Sequence, residues 1–223
     1  MEVNVQKSLL SKNDLIAADL RAQLRQAGTY CINVIGSPGA GKTTLLERVC
    51  AYMKGCLRIA VIEGDIATSL DADRIARHNV AVHQINTYGA CHLDAAMVHE
   101  ALSSFDLDGL DLLIIENVGN LVCPTGFDLG EDMKVVVLSV PEGDDKTAKY
   151  PGIFRKSGCL LLNKVDLLPG SDFDIAKAEA AARQVNPGIA IWHVSAKTGD
   201  GLTEWCQWLA AKASVKKAAI TPN

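Results

Sequence analysis

At 223 residues, with 48% hydrophobic and 22% charged residues, the chain has ordinary globular values, which exclude wholesale disorder, collagen-like repeats and low-complexity structure. A formal net charge of −4 offers no general basic field for neutralising phosphates and argues against nucleic acid as a partner. No apolar run approaches the roughly 18 residues of a membrane span, and Glu2, Lys7, Lys12 and Asp14 break up the N-terminal apolar residues, so neither a transmembrane helix nor a signal-peptide core is expected and the expected compartment is the cytoplasm.

In chain order, Ser11-Lys12-Asn13-Asp14 has the form of a capping box, and Leu15, Ile16, Leu20 and Leu24 follow at helical spacing until Gly28 supplies a stop. Such a helix is expected to pack on the domain or on a partner. Short β-rich runs then recur at Tyr30–Ile35, Arg58–Ile62, Val80–Ile85, Asp111–Ile115, Lys134–Val140, Cys159–Leu162 and Ile189–Val194. Helical segments at Thr43–Met53, His92–Ser103, Phe173–Val185 and Leu202–Ala213 separate most of them. Apolar strands alternating with helices predict an α/β fold with a mostly parallel sheet covered on both faces, preceded by an N-terminal helix. The expected organisation is a helical extension over residues 1–28, one domain over 29–215 and a tail over 216–223.

Between the first strand and the following helix lies Gly36-Ser37-Pro38-Gly39-Ala40-Gly41-Lys42-Thr43, a P-loop in the strand-to-helix context that motif requires. Its glycines let backbone amides converge on phosphate oxygens, and the helix N-terminus adds a favourable dipole. Lys42 is expected to reach the β- and γ-phosphates and Thr43 to ligate Mg²⁺, with Thr44 also placed against the nucleotide.

Asn163-Lys164-Val165-Asp166 and Ser195-Ala196-Lys197 follow later strands, on the same rim as the phosphate loop. A carboxylate at Asp166 can accept from both N1–H and the N2 amine of guanine, donors that adenine lacks, so the expected nucleotide is GTP. The Lys164 stem is expected on the purine face and the Ala196 amide on guanine O6. Glu116, at the end of a buried strand, is expected to hold Mg²⁺ directly or through water, and Gly119 to meet the γ-phosphate. Asp65 is expected to orient the attacking water or a metal-bound water, with Asp71 a weaker candidate; strand-end acids also serve as helix caps. No Gln or Arg stands out as a water-positioning residue or finger, so slow intrinsic GTP hydrolysis is expected.

The seven cysteines are odd in number and lack paired spacing, which in a reducing compartment reads as free thiols or metal ligands. Cys91-His92 and Cys123 are attached to the loops that sense nucleotide. Two thiols and an imidazole suit Zn²⁺ or Ni²⁺, with a fourth ligand from water or another subunit; single cysteines also occur as small buried hydrophobes. Cys31, Cys50, Cys56, Cys159 and Cys206 are expected to serve packing, and His78, His83, His99 and His193 to be surface or satisfied residues. Lys146, in Glu142-Gly-Asp-Asp-Lys146, reaches a phosphate or carboxylate across an interface or is a solvated surface charge.

Taken together, the phosphate loop, Gly89-Ala-Cys91-His92-Leu-Asp, Glu116-Asn-Val-Gly-Asn-Leu-Val-Cys123-Pro and Pro141-Glu-Gly-Asp-Asp-Lys146 resemble the hydrogenase nickel-incorporation GTPases, the HypB family, from about Asp14 to Ala213. The resemblance implies a SIMIBI-class P-loop fold, GTP hydrolysis and GTP-linked homodimerisation. It also implies a metal site at the dimer interface built from Cys91, His92 and Cys123, and nickel delivery to [NiFe]-hydrogenase, whose large subunit is reached indirectly through a zinc-binding HypA-type partner. The cysteine-rich or histidine-rich N-terminal stretches of some members have no counterpart among these residues. A urease-type relative is expected to carry a Cys-Pro-x-His motif, which this sequence lacks.

Overall fold

The computed structural model describes residues 5–65 and 70–219. In chain order these form α1 (Val5–Ala27), β1 (Tyr30–Gly36), α2 (Lys42–Met53), β2 (Ile59–Asp65), α3 (Leu70–Ala76), β3 (Ala81–Asn86), α4 (Ala95–Leu102), β4 (Leu112–Glu116), β5 (Met133–Ser139), α5 (Lys146–Lys149), α6 (Pro151–Lys156), β6 (Cys159–Asn163), α7 (Ile175–Val185), β7 (Ala190–His193) and α8 (Leu202–Ala218). All seven expected strands are present. They form one wholly parallel sheet in the order β3-β2-β4-β1-β5-β6-β7.

Side chains alternate between the two faces of the strands, and both faces are covered. From β1, Ile32 and Val34 join Leu45, Leu46 and Val49 of α2 and Trp205 and Leu209 of α8 on one face. Cys31 faces the other way, into a cluster with Ala17, Leu20 and Leu24 of α1 and Val98 of α4. Ile35 packs beside Phe154 and Ala182 over α6 and α7. Helix α1 is thus part of the sheet's cover, and Ala17, Leu20 and Leu24 are fully buried.

Several boundaries depart from expectation. Ser11 and Asp14 lie inside α1 and do not start it, because the good helix formers before Ser11 carry the helix through the apparent capping box. The expected stop holds: the Gly28 amide donates to Arg25 O and the Thr29 amide to Leu24 O, the paired bonds of a Schellman ending. Helix α4 begins three residues later than His92, because Asp94 caps it by accepting the Met97 amide at 2.9 Å. Cys91 and His92 are thereby left on a loop. Helix α8 continues past Ala213 to Ala218, through the start of the expected tail, whose residues 220–223 lie outside the described residues. Among the described residues no helix is long and apolar enough to cross a membrane.

Candidate functional site

Parallel strands deliver their C-terminal ends to one rim, and a cleft of about 500 Å³ opens there, lined by Pro38, Gly39, Gly41–Thr44, Glu63–Asp65, Asp71, Arg74, Glu116–Gly119 and Lys164. The phosphate loop forms one wall. Lys42 is buried, its Nζ 3.4 Å from Gly36 O. Gly119 runs so close to the loop that an added Cβ would fall 3.0 Å from the Pro38 nitrogen, so only glycine fits beside the phosphate loop at this point.

Thr43 Oγ1 donates to Glu116 Oε1 at 2.8 Å, which joins two of the expected magnesium-site residues directly. Glu63, paired in register with Glu116 across β2 and β4, is equally buried and was not singled out by motif. Burial, then the neighbouring Glu116 charge, pushes the Glu63 carboxyl up to about 8, and burial pushes Glu116 up to about 7 against the pull of Lys42. Glu63 Oε2 and Glu116 Oε2 are buried without a hydrogen-bond partner among the described residues. Two under-satisfied carboxylates beside a threonine hydroxyl are the hard-oxygen donor set that Mg²⁺ takes, so these residues fit the ion. Asp65 ends β2 at the same rim, and Asp71 is ion-paired to Arg74 at 2.9 Å.

The cleft is also lined by an arginine, Arg74. Arg74 Nη2 donates to Thr44 Oγ1 at 3.0 Å and to Glu47 Oε2 at 2.6 Å. No sequence motif marks it; α3 swings it over α2.

At the base-binding end, Asn163 Nδ2 donates to Ala40 O at 2.9 Å, and Asn163 Oδ1 accepts the Lys164 and Ala196 amides. Asn163 therefore ties the two loops expected to read the base to the phosphate loop. The Ala196 amide is engaged here, so the expected bond to guanine O6 requires it to leave or share Asn163 Oδ1. Ser195 Oγ donates to Asp166 Oδ1 at 2.6 Å, which orients that carboxylate. Lys164 Nζ donates to Gly39 O at 2.6 Å. Arg48 of α2, another residue without a motif, donates to the carbonyls of Ala196 and Lys197 and pins their loop.

Cys91, His92 and Cys123 converge although they come from loops after different strands. One ligand atom from each lies within 4.8 Å of the others, and Cys91 Sγ is 3.6 Å from His92 Nδ1. Ligands bonded at about 2.0–2.3 Å sit at most about 4.6 Å apart around one ion, so little movement is needed. The hydrogen bond with Cys123 raises the Cys91 thiol, and burial lowers the His92 imidazole. His92 is stacked on Phe127 with ring centroids 3.9 Å apart. Among the described residues this is the one such His/Cys/Asp/Glu group. Of the other cysteines, Cys31, Cys50, Cys159 and Cys206 are buried as expected, but Cys56 is exposed, since it lies in the turn after α2. Among the histidines, His193 pairs with Glu179 at 2.6 Å and His99 lies 3.6 Å from Asp19.

Two short chains of hydrogen bonds join the metal-type loop to the nucleotide cleft. Asn117 Oδ1 accepts the Leu93 amide at 3.1 Å. The Thr87 amide donates to Asp65 O at 2.9 Å, while Thr87 Oγ1 donates to Ala90 O at 2.9 Å. In the Glu142–Lys146 segment the acids are engaged internally: Glu142 caps Ser139, Asp144 pairs with Lys177 and Asp145 with Lys149. Lys146 Nζ sits 5.5 Å from the Tyr150 ring centre.

Residues 30–193 match the family model described as CobW/HypB/UreG, nucleotide-binding domain. The hydrogenase maturation factor HypB of Azotobacter chroococcum mcd 1 is 49% identical over 209 residues, covering 93% of this chain and 68% of that protein. The crystal structure of HypB from Helicobacter pylori in complex with nickel superposes with a TM-score of 0.88 at 38% identity, covering 92% of this chain and 97% of that one. HypB from Archaeoglobus fulgidus gives a TM-score of 0.85 at 40% identity, over 91% and 99% of the two chains. With these residues, this fold and these relatives, the chain belongs to the HypB family of hydrogenase maturation factors.

Proposed function

We propose that the chain is a GTP-hydrolysing nickel metallochaperone for maturation of [NiFe]-hydrogenase. In this reading residues 29–215 act as the GTPase unit, residues 1–28 as a helical extension and 216–223 as a tail. The observation that carries the reading is the convergence of Cys91, His92 and Cys123 on loops hydrogen-bonded to the ends of the strands that bear Asp65 and Glu116.

In this reading Gly36 to Thr44 cradle the phosphates, with Lys42 neutralising the β- and γ-oxygens. Thr43, Glu116 and Asp65, with Glu63 beside Glu116, would hold Mg²⁺ directly or through water, and the ion would supply charge neutralisation to the phosphate oxygens. Asp65 aligns the attacking water. Asn163, Lys164, Asp166, Ser195, Ala196 and Lys197 select guanine. Arg74 is already held by two carboxylates, which is consistent with slow turnover by the isolated chain.

Cys91, His92 and Cys123 carry Ni²⁺ or Zn²⁺ as cargo. Metal binding takes the neutral imidazole of His92 and the thiolates of Cys91 and Cys123, so each thiol gives up its proton as the ion enters. GTP favours a homodimer in which two copies of the set meet, with Lys146 reaching across, and a HypA-type zinc protein receives or supplies the metal before the hydrogenase large subunit. The site of action is the cytoplasm.

Phosphate release from GTP, and nickel titration followed by thiolate-to-nickel charge-transfer absorption in wild type and Cys123→Ser, test this reading. Turnover with GTP and a charge-transfer band lost in the variant are expected. Nickel binding unchanged in Cys123→Ser contradicts the ligand set.

A further inference from the structure

Helix α1 carries one buried polar side chain whose two ends are both committed to the loops that bear the metal ligands. Asn13 is 6% exposed. Its Oδ1 accepts the Ala95 amide at 2.9 Å, and its Nδ2 donates to Asp128 O at 2.9 Å. Ala95 opens α4, three residues after His92. Asp128 follows Phe127, the ring on which His92 stacks, and lies five residues after Cys123.

The grip on the second loop is reinforced. Arg21, two turns further along α1, donates to both carboxylate oxygens of Asp128 at 2.6 and 2.8 Å. The loop can come this close only because residue 130 is glycine: a Cβ there would fall 2.7 Å from Leu20 Cβ and 2.9 Å from Ala17 O. Lys134 Nζ, itself buried, donates to Phe127 O at 2.7 Å from the sheet side. The Phe127–Asp128 segment is thus held from both sides, and α1 is one of the holders.

We propose that Asn13 is a positioning residue for the metal set: a single amide on α1 staples the Cys91–His92 loop to the Cys123 loop and so fixes the separation of their ligand atoms. The proposal rests on the reading of Cys91, His92 and Cys123 as ligands. Its physical basis is that both partners are main-chain groups, so the staple sets loop position and not only side-chain orientation. Outer groups of this kind typically change metal affinity by about 10–100-fold. It follows that α1 acts on the metal site without contacting the nucleotide, and that whatever displaces α1 loosens the metal.

The test is nickel titration of the full chain as wild type, Asn13→Ala, Asn13→Asp and Cys123→Ser, with charge-transfer spectra and binding of a GTP analogue measured on each. Asn13→Ala removes both bonds and is expected to weaken nickel about tenfold with a shifted charge-transfer band, while analogue affinity stays within about twofold. Asn13→Asp keeps an acceptor for Ala95 and loses the bond to Asp128 O, so an intermediate loss is expected. Wild-type nickel affinity and spectrum in both Asn13 variants, with Cys123→Ser impaired, overturns the staple alone. Unchanged nickel binding in Cys123→Ser overturns the ligand reading and the staple with it. Loss of analogue binding in both Asn13 variants makes Asn13 a residue of the whole fold and also overturns the proposal.

Discussion

Asn117, the residue after Glu116, accepts the backbone amide of Leu93 at 3.1 Å, so the strand end that bears Glu116 is tied to the loop that carries Cys91 and His92. The same oxygen accepts the Val118 amide at 3.0 Å, and Nδ2 donates to Asn33 Oδ1 at 3.2 Å. Asn117→Ala leaves these buried groups unpaired, at about 1–3 kcal/mol each before relaxation. Chemical denaturation is expected to show a loss of about 2 kcal/mol or more, and the nucleotide dependence of nickel affinity is expected to shrink. Full stability with full nucleotide dependence contradicts the linkage.

In the proposed reading, base selection rests on Asp166, whose Oδ1 accepts the Ser195 hydroxyl at 2.6 Å. Asp166→Asn exchanges a double acceptor for a group with one acceptor and one donor, which mismatches the two donors of guanine and better matches the N1–H donor and C2 carbonyl acceptor of xanthine. Competition binding is expected to show GTP weakened at least tenfold and XTP gained, at about 1.5–3 kcal/mol per charge-assisted bond. Unchanged GTP preference removes Asp166 from the base site.

Hydrolysis separates binding residues from the water-positioning acid. Asp65→Ala is expected to slow single-turnover GTP hydrolysis by about 10²-fold or more, with GTP still bound, because general-base and water-positioning groups typically contribute that much. A wild-type rate promotes Glu116 or Asp71 to that role. Lys146→Ala, followed by sedimentation with a GTP analogue, is expected to lower the dimer fraction; a normal dimer and normal turnover leave Lys146 as a surface charge beside Tyr150.

The Arg21–Asp128 pair gives an acid-side signature. Burial raises the Asp128 carboxyl, but the hydrogen bonds from Arg21 and the Gly130 amide outweigh it and hold the group below its ordinary value. A depressed carboxylate contributes stability that is present above its unfolded pKa, about 3.9, and is lost as pH falls through the lower folded value. The pair is partly exposed, with Arg21 44% and Asp128 40% accessible, so its worth is at most about 1 kcal/mol. Melts of Arg21→Ala are expected to differ from wild type at pH 7 and to converge with it as pH falls through the lowered value of the Asp128 carboxyl. A difference that persists at low pH assigns the effect to lost packing of the arginine stem.

The sheet was legible because its strands are apolar, branched runs bounded by turns, and the P-loop, base-reading and Cys/His residues were legible because each chemistry demands a residue type at a fixed spacing. Helices α3, α5 and α6 were not expected, being a few residues long and stabilised by tertiary packing more than by their own pattern. Glu63, Arg74, Arg48 and Asn13 escaped for a different reason. Their roles depend on partners distant in the chain, such as Asp128 for Asn13 and Ala196 for Arg48, and nothing local distinguishes them from surface or helix-interior residues. The capping box at Ser11 misled for the converse reason, a local motif overruled by the helix formers around it.

In the proposed reading nucleotide state and metal binding form one coupled equilibrium, since Asn117, Thr87 and the Gly119-to-Cys123 segment all join the cleft to the ligand set. Nickel affinity of the wild type, measured by titration in the GTP-analogue and GDP states, tests it most directly. Different affinities or charge-transfer spectra are expected in the two states, with the same factor when nickel's effect on relative nucleotide affinity is measured in return, and with the difference lost in Cys123→Ala while nucleotide binding is retained. Equal nickel affinity and identical spectra in the two nucleotide states of the wild type contradict it.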